Sequence, residues 1–570
     1  MKMTPTWVLI VYGVVDPEMP RDGLLTISFQ NPVRPLTPLH FIPLLSQCLA
    51  VMKRSASAVA STVASSACPV AGVSANAKAK CARPFEEIPG PTISSRLFGK
   101  NRVLFRSRHS IAHYYDWLVD LHKRYGPIVR VNQGFGRGYV VHVFDPGEFL
   151  HQFSALLRNA SQLPEDSRQV FASDGRQPFI VPLQETTQRY REIKGMNPGL
   201  GNLNGDEWYR LRSSIQQVMM RPQAVQKYLP YTNEVAAALV DHIRGESVRN
   251  NGNVDMRKVA GRWALDSAGL TVFEKRLGAL NDRIDWADML VDLNKSIFQL
   301  SAELRFAFPF YRYFSTPKWR KMVELEDEFY REANLLIDDA INKLRGSSQS
   351  EEEMKFASLL INRKELNVKD VAIILLSMFS DGLSTTAPML VYNLYNIASS
   401  PNVQDELREE VNTVTKRHKE ITPSDLSHLP FLRACIKETF RLFPIGTEIS
   451  RIPQKDLVLS GYHVPAGTPV DVNTNVLMRS ATLFDDPLSF RPTRWLRDGS
   501  RPDSHPFSFL PFGFGPRMCA GRRFAEQDLQ VTLCRLVQHF RISHHHSPIE
   551  QTYETLLLPK GCCDFHFDQM

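Results

Sequence analysis

Apolar positions recur with helical spacing from Ile111 to Tyr125, and the run stops at Gly126-Pro127, a pair that ends helices. Two β-rich runs follow, Ile128–Asn132 and Tyr139–Phe144, around Gly134-Phe135-Gly136-Arg137-Gly138. Those glycines lie between strands and open no helix, so the spacing predicts a hairpin and not a phosphate loop. Gly205-Asp206-Glu207-Trp208 opens a further helix, with both acids in the first turn, where the helix dipole favours them. From Ala260 to Leu344 the chain reads as successive helices, interrupted at Phe306–Phe314, where six of nine residues are aromatic. Two accounts stand for that interruption: core packing, or an amphipathic loop lying on a membrane or over an apolar entrance. Gly346–Glu353 reads as a solvated loop. Val368 to Ser399 reads as one long, mostly apolar helix, hence buried. Phe431–Phe443 is a helix ended by Pro444.

Composition changes the picture mainly at the N-terminal end. At 570 residues and 43% hydrophobic, the chain can bury a large core. Its formal charge of +8 is concentrated: between Gly23 and Phe85 there is no Asp or Glu, against Arg34, Lys53, Arg54, Lys78, Lys80 and Arg83. A nucleic-acid partner is therefore not implied. The longest early apolar run, Trp7–Val15, has nine residues where a membrane span needs roughly 20, so no anchor is expected. From Met52 to Phe85 the chain is rich in Ser, Ala and Val, basic and acid-free. That composition fits a mitochondrial presequence, with an ordinary disordered tail as the alternative and Met52 as a second candidate start. Residues 1–85 are thus expected to be a leader and 86–570 a single catalytic domain, with folding beginning around Pro89-Gly90-Pro91. The eight cysteines form no CxxC pair, so neither a zinc site nor a disulfide scaffold is expected, and a reducing compartment suits them. His544-His545-His546 reads as loop, because consecutive residues do not easily converge on one ion.

The chemistry concentrates at Phe512-Gly513-Phe514-Gly515-Pro516-Arg517-Met518-Cys519-Ala520-Gly521. A cysteine thiolate can bind a haem iron from one side and push electron density onto it, favouring O–O cleavage. Such a thiolate needs electropositive, N–H-rich surroundings, and glycines let backbone wrap it at dihedrals other residues resist. Arg517 is placed to pair with a haem propionate. Trp208 and Arg212, four apart, share a helix face from which an indole N–H and a guanidinium can bind one carboxylate. In the middle of the apolar helix, Asp381-Gly382-Leu383-Ser384-Thr385-Thr386-Ala387-Pro388 places Gly and Pro, which cost roughly 1 and 3 kcal/mol in a helix interior. Either this is a simple proline kink, or Gly382 and the Thr385 hydroxyl form a polar, oxygen-binding notch. Glu438 and Arg441 are three apart and can pair, and Arg494 can bring a second guanidinium to the same carboxylate. Arg433 and Lys437, four apart, make a basic docking stripe or a solvated face.

In this order, these pieces resemble the cytochrome P450 superfamily of haem-thiolate monooxygenases, over residue 86 to the C-terminus. The resemblance implies a mainly α fold with small β-sheets (α+β), with haem b between a long central helix and the cysteine loop. It implies Cys519 as the axial thiolate, with Phe512, Gly515 and Gly521 shaping the loop. It implies Trp208, Arg212, Arg517 and Arg451 as propionate contacts, and a structural role for Glu438, Arg441 and Arg494. Arg522 and Arg523 after the loop resemble the mitochondrial branch, and Arg433 and Lys437 match its docking position for a small acidic [2Fe–2S] ferredoxin. One departure stands out. The acid usual before the catalytic threonine is Ser384 here, and Asp381, nearly one turn earlier, is the candidate replacement.

The implied reaction inserts one atom of O₂ into an apolar substrate such as a sterol, secosteroid or xenobiotic, with Thr385 steering protons. Electrons would come singly from the ferredoxin, fed by an NADPH-dependent reductase, on an enzyme bound peripherally at the matrix face of the mitochondrial inner membrane. By family analogy the substrate pocket would use Phe306–Phe314, Gly446–Ile449 and Leu556–Leu558. Two alternatives keep the haem: an isomerase or dehydratase acting on peroxides without external electrons, and a non-enzymatic haem-binding sensor. Thr385 and the Arg433/Lys437 stripe argue against the first.

Overall fold

The computed structural model describes residues 82–91, 111–133, 137–144, 170–171, 173–345, 355–416, 420–496 and 507–570. The leader up to residue 81, the turn Gly134–Gly136 and the solvated loop at 346–353 lie outside these. Within the body Arg83 already bridges to Tyr462, its N–H donating to the Gly461 carbonyl.

The main helices are α1 (Tyr114–Tyr125), α2 (Glu185–Ile193), α3 (Gly205–Met219), α4 (Leu229–Arg249), α5 (Met256–Val272), α6 (Ile284–Phe306) and α7 (Pro317–Arg345). They continue with α8 (Val368–Ser384), α9 (Thr386–Ala398), α10 (Pro401–Thr415), α11 (Pro430–Leu442) and α12 (Arg522–His539). Helix α1 ends where Gly126 adopts φ +89, a conformation that an L side chain resists. Helix α5 is nearly all buried and packs on α6, α8 and α9, with Trp263, Phe379 and Tyr392 among the large side chains of one continuous core. Apolar residues all round α8 and α9 follow from that central position.

Among the described residues four small sheets flank the helices. In the largest, β1 (Ile128–Asn132) pairs antiparallel with β2 (Tyr139–Val143), from Ile128 opposite Val143 to Asn132 opposite Tyr139. A three-residue strand β3 (Asn253–Asp255) belongs to another sheet. The first sheet continues with β7 (Val470–Val472), parallel to β2, and β4 (Ile449–Arg451), antiparallel to β7. Between them β5 (Leu457–Leu459) and β6 (Tyr462–Val464) form a hairpin. At the C-terminal end come β8 (Phe540–Ser543), the hairpin β9 (Glu550–Glu554) and β10 (Leu556–Lys560), and β11 (Asp564–Gln569), which lies between β3 and β8. The hairpin tip is tied to α6, the Thr555 hydroxyl donating to the Phe298 carbonyl at 2.9 Å.

One helix differs from expectation. Val368 to Ser399 is two helices, broken at Thr385 (φ −124°, ψ −61°). Pro388 has no N–H for the Ser384 carbonyl, and Thr385 donates its N–H to Gly382, three residues back, so the ladder changes register there.

Candidate active site

The cysteine loop is held by its own backbone. The Gly513 N–H donates to the Leu510 carbonyl, that of Met518 to Gly515 at 3.0 Å, and that of Cys519 to Phe512 at 2.9 Å. Gly513 (φ +76) and Gly515 (φ +68) take the left-handed conformation these turns need. Gly521 does not: it sits at φ −79, ψ −1 as the N-cap of α12, a conformation open to any residue, with its Cα facing the Cys519 sulfur. The N–H groups of Gly521 and Arg522 point at the sulfur from the start of α12, where the helix dipole favours an anion. Burial is the larger effect and pushes the thiol up; Arg212 and the two N–H groups oppose it.

Cys519 is exposed yet enclosed by protein, and so is Asp381 in α8. Both face a space inside the molecule rather than bulk water, within electrostatic reach of one another. Across that space a Cβ added at Gly382 would meet nothing within 4 Å, so the notch is open. The Thr385 hydroxyl donates to the Asp381 carbonyl at 2.6 Å. Asp381 therefore shares the Thr385 face, four residues on. Ser384 does not: it is buried, with its hydroxyl unpartnered. Burial pushes the Asp381 carboxyl up to about 6, against the pull of Arg191 on α2.

Three arginines gather on the other side of the loop. Arg212, on α3, is buried, donates to the Met518 carbonyl at 2.6 Å, and leaves its Nε without a partner. Arg451, at the end of β4, pairs with Asp174 at 2.8 Å and donates to the Phe514 carbonyl. Arg517 stacks on the face of the Trp208 ring at 3.8 Å, a contact that leaves the in-plane indole N–H uncovered. The donors of Arg517 are also engaged, reaching Pro178 and Leu203 carbonyls and Asn204 Oδ1 at 2.8, 2.9 and 2.7 Å. Burial, then Arg451 and Arg212, push the Arg517 guanidinium down to about 9. Among the described residues Asp174 is the one carboxylate in this cluster, itself pushed up by burial. Two positive charges are left unmatched, together with the Arg212 Nε and an enclosed thiol. These features fit a flat apolar group with one sulfur-seeking centre and two carboxylates at its edge, which describes haem.

The cytochrome P450 family profile matches residues 163–565. The chain is a cytochrome P450. It is 56% identical, over 493 residues, to the probable cytochrome P450 CYP44 of Caenorhabditis elegans, covering 86% of this chain and 94% of the relative. It is 30% identical over 495 residues to the probable mitochondrial cytochrome P450 12a5 of Drosophila melanogaster, covering 82% and 87%. It is 28% identical over 488 residues to the mitochondrial cytochrome P450 11B of Aquarana catesbeiana, covering 84% and 88%. The protein is accordingly a monooxygenase of the mainly α P450 fold, whose cofactor is haem carried on a cysteine thiolate.

Beneath the loop, this P450 buries the Glu438 carboxylate completely and gives it four donors. Arg441 reaches both oxygens at 2.9 Å, Arg494 and the Arg491 N–H reach Oε1 at 3.0 Å, and the Trp495 indole reaches Oε2 at 2.9 Å. Helical spacing pointed to Arg441 alone; the Trp495 and Arg491 contacts depend on a loop more than fifty residues away. Phe512 packs on Phe440 of α11, joining this core to the cysteine loop.

On the surface, Lys437 is exposed near the Trp495 ring and Arg523 is exposed. Arg433 is half-buried and donates to the neutral Leu426 carbonyl. Arg522 pairs with Glu526 at 2.9 Å. The aromatic run divides between its two accounts. Tyr311 is core, stacked on Trp319, while Phe308, Phe310, Tyr313 and Phe314 are exposed.

A cavity of about 1310 Å³ lies between α1, the first sheet, the end of α6 and β9. Phe306 and Phe308 line it, whereas Gly446–Ile449 and Leu556–Leu558 do not; Leu557 is packed into the core instead. Its wall carries Arg305, bonded to the Tyr553 hydroxyl at 3.0 Å and to Glu448 at 3.3 Å, and a His142 that burial pushes down to about 4. Neither Cys519 nor Asp381 lines this cavity.

Proposed function

We propose that this P450 inserts one atom of O₂ into an apolar substrate inside the mitochondrion, using electrons from a [2Fe–2S] ferredoxin fed by an NADPH-dependent reductase. The observation that carries the reading is the Cys519 sulfur at the N-terminus of α12, within electrostatic reach of Asp381, which shares a helix face with Thr385. When bound, haem supplies the activation of O₂ and the oxidation of the substrate.

In this reading Cys519 would hold the haem iron as a thiolate, and the Gly521 and Arg522 N–H groups would hold its charge. Arg212, with an unengaged Nε, is the first propionate contact; Arg451 and Arg517 set the positive field and hold the loop to the segment around residues 174–204. Asp381 passes protons to the Thr385 side of the notch, replacing the acid that Ser384 lacks. Lys437, Arg523, Arg433 and Arg522 form the ferredoxin face, which their charge supports. The exposed Phe308, Phe310, Tyr313 and Phe314 support peripheral contact with the matrix face of the inner membrane. The substrate class in this reading is an apolar sterol, secosteroid or xenobiotic, and the cavity of about 1310 Å³, which neither Cys519 nor Asp381 lines, is not assigned to it. The acid-free leader supports import.

The test is reconstitution of the purified holoenzyme with a mitochondrial ferredoxin, its reductase and NADPH against a lipid panel. Product is expected only with all three present. Turnover of hydroperoxides without ferredoxin, and none with it, would move the assignment to an isomerase. Cys519→Ser should abolish the reduced carbon-monoxide band of thiolate haem, and an unchanged band would refute the ligand.

A further inference from the structure

Of the three consecutive histidines, His544 and His546 have ring centroids 5.6 Å apart, and His546 also meets two residues from another segment. Ligand atoms of His546, Cys562 and Asp564 all lie within 4.8 Å of each other. We propose that these three side chains form a zinc site that ties the β8–β9 connection to the turn before β11.

The scaffold is already in place. The His544 imidazole lies against the Cys562 carbonyl at 3.3 Å, linking the two segments beside the site. Gly561 sits at φ +108, a conformation that favours glycine, and a Cβ there would lie 3.8 Å from the Pro548 carbonyl across the gap. Arg257 donates to the Gly561 carbonyl at 2.6 Å and fixes the turn from the α5 side. The Cys562 sulfur and an Asp564 oxygen are 3.3 Å apart. Tetrahedral zinc, with bonds of about 2.0–2.3 Å, separates its ligands by roughly 3.5 Å, so only modest closure of the exposed His546 is required.

Charge points the same way. Asp564 opens β11 directly opposite Asp255 on β3, and like charges facing each other across strands are destabilising. Asp255 is engaged as the N-cap of α5, accepting from the Arg257 N–H, and no Lys or Arg pairs with Asp564 among the described residues. A divalent cation offsets this acidic pair. Imidazole with thiolate selects zinc over calcium or magnesium, which prefer oxygen ligands. Three protein ligands leave the fourth position to water, and the half-exposed Cys562 and Asp564 make the ion exchangeable. The site is structural: it braces the C-terminal sheet, in which β11 joins β3 to β8.

The experiment is equilibrium dialysis of the haem-loaded protein against buffered zinc, so that the Cys519 sulfur is already committed, with metal counted by emission spectroscopy. One zinc per chain beyond the haem iron is expected, with a raised thermal midpoint. Cys562→Ser and Asp564→Asn should each weaken binding by roughly tenfold or more, as loss of a ligand does, while His428→Ala binds as wild type. An unaltered reduced carbon-monoxide band in each variant certifies its fold. No zinc bound by the wild type, equal binding by Cys562→Ser, or displacement by equimolar calcium would each overturn the site.

Discussion

The Thr385 hydroxyl and the Asp381 carbonyl are 2.6 Å apart, and this bond closes the break between α8 and α9. Four residues apart, the Thr385 hydroxyl and the Asp381 carboxyl lie on the same helix face. Replacing Asp381 by Asn keeps the shape and removes the proton source. Product formation should fall on the order of a hundredfold, the usual scale of general acid–base assistance, with reducing equivalents diverted to peroxide. Product per NADPH equal to wild type, with no added peroxide, would end the assignment. Thr385→Ser should retain most activity and Thr385→Ala should not.

Glu438 is the hub of a fully buried charge cluster. Glu438→Ala strands the Arg441 and Arg494 guanidinium groups without a counter-charge, which typically costs about 3–5 kcal/mol. The denaturant midpoint should drop accordingly. Arg441→Ala should cost less, since Arg494 and Trp495 still satisfy the carboxylate.

Glu326 on α7 gives stability a pH dependence. It is 2% exposed, and burial pushes its carboxyl up to about 7, against the pull of Arg191 and the bond from the Thr187 hydroxyl at 2.8 Å. Unfolded, the group ionises near 4.5. Between those pH values the folded chain holds a proton that the unfolded chain has released. Stability therefore falls as pH rises from about 4.5 to 7, by roughly 3 kcal/mol at about 1.4 kcal/mol per unit. Glu326→Gln should flatten that slope and be the more stable protein above pH 7, measured by chemical denaturation across the window.

Arg212 and Arg517 should separate in haem retention. Arg212 has an unpartnered Nε, whereas Arg517 is committed to the carbonyls around residues 178–204. A charged hydrogen bond contributes roughly 1.5–3 kcal/mol, so Arg212→Ala should speed haem transfer to an acceptor globin about ten- to a hundredfold. Arg517→Ala should instead loosen the 178–204 segment, read as faster proteolysis there.

Much of this was legible in the chain because the controlling forces are local. Gly513 and Gly515 announce left-handed turns, and Glu438 and Arg441 meet because helical spacing places them together. Pro388 and Gly382 mark a defect in an otherwise apolar helix. The defect's outcome was not legible. Whether the ladder continues through it depends on which carbonyl Thr385 finds, and the structure ends one helix and begins another.

Sequence alone therefore determined the cysteine loop, the apolar character of the central helical stretch and the family, since backbone dihedrals and one-turn contacts follow from neighbouring residues. Tertiary structure decided which charges meet. Asp174 and Arg451 are 277 residues apart, and no periodicity links them. Arg517 reaches the Pro178 and Leu203 carbonyls, which only folding brings beside it. Asp381 faces the enclosed space while Ser384 turns into the core, and His546 finds Cys562 and Asp564 across a turn as well as His544 beside it. A buried charge is stable only beside a partner, and its partner is set by how distant segments pack.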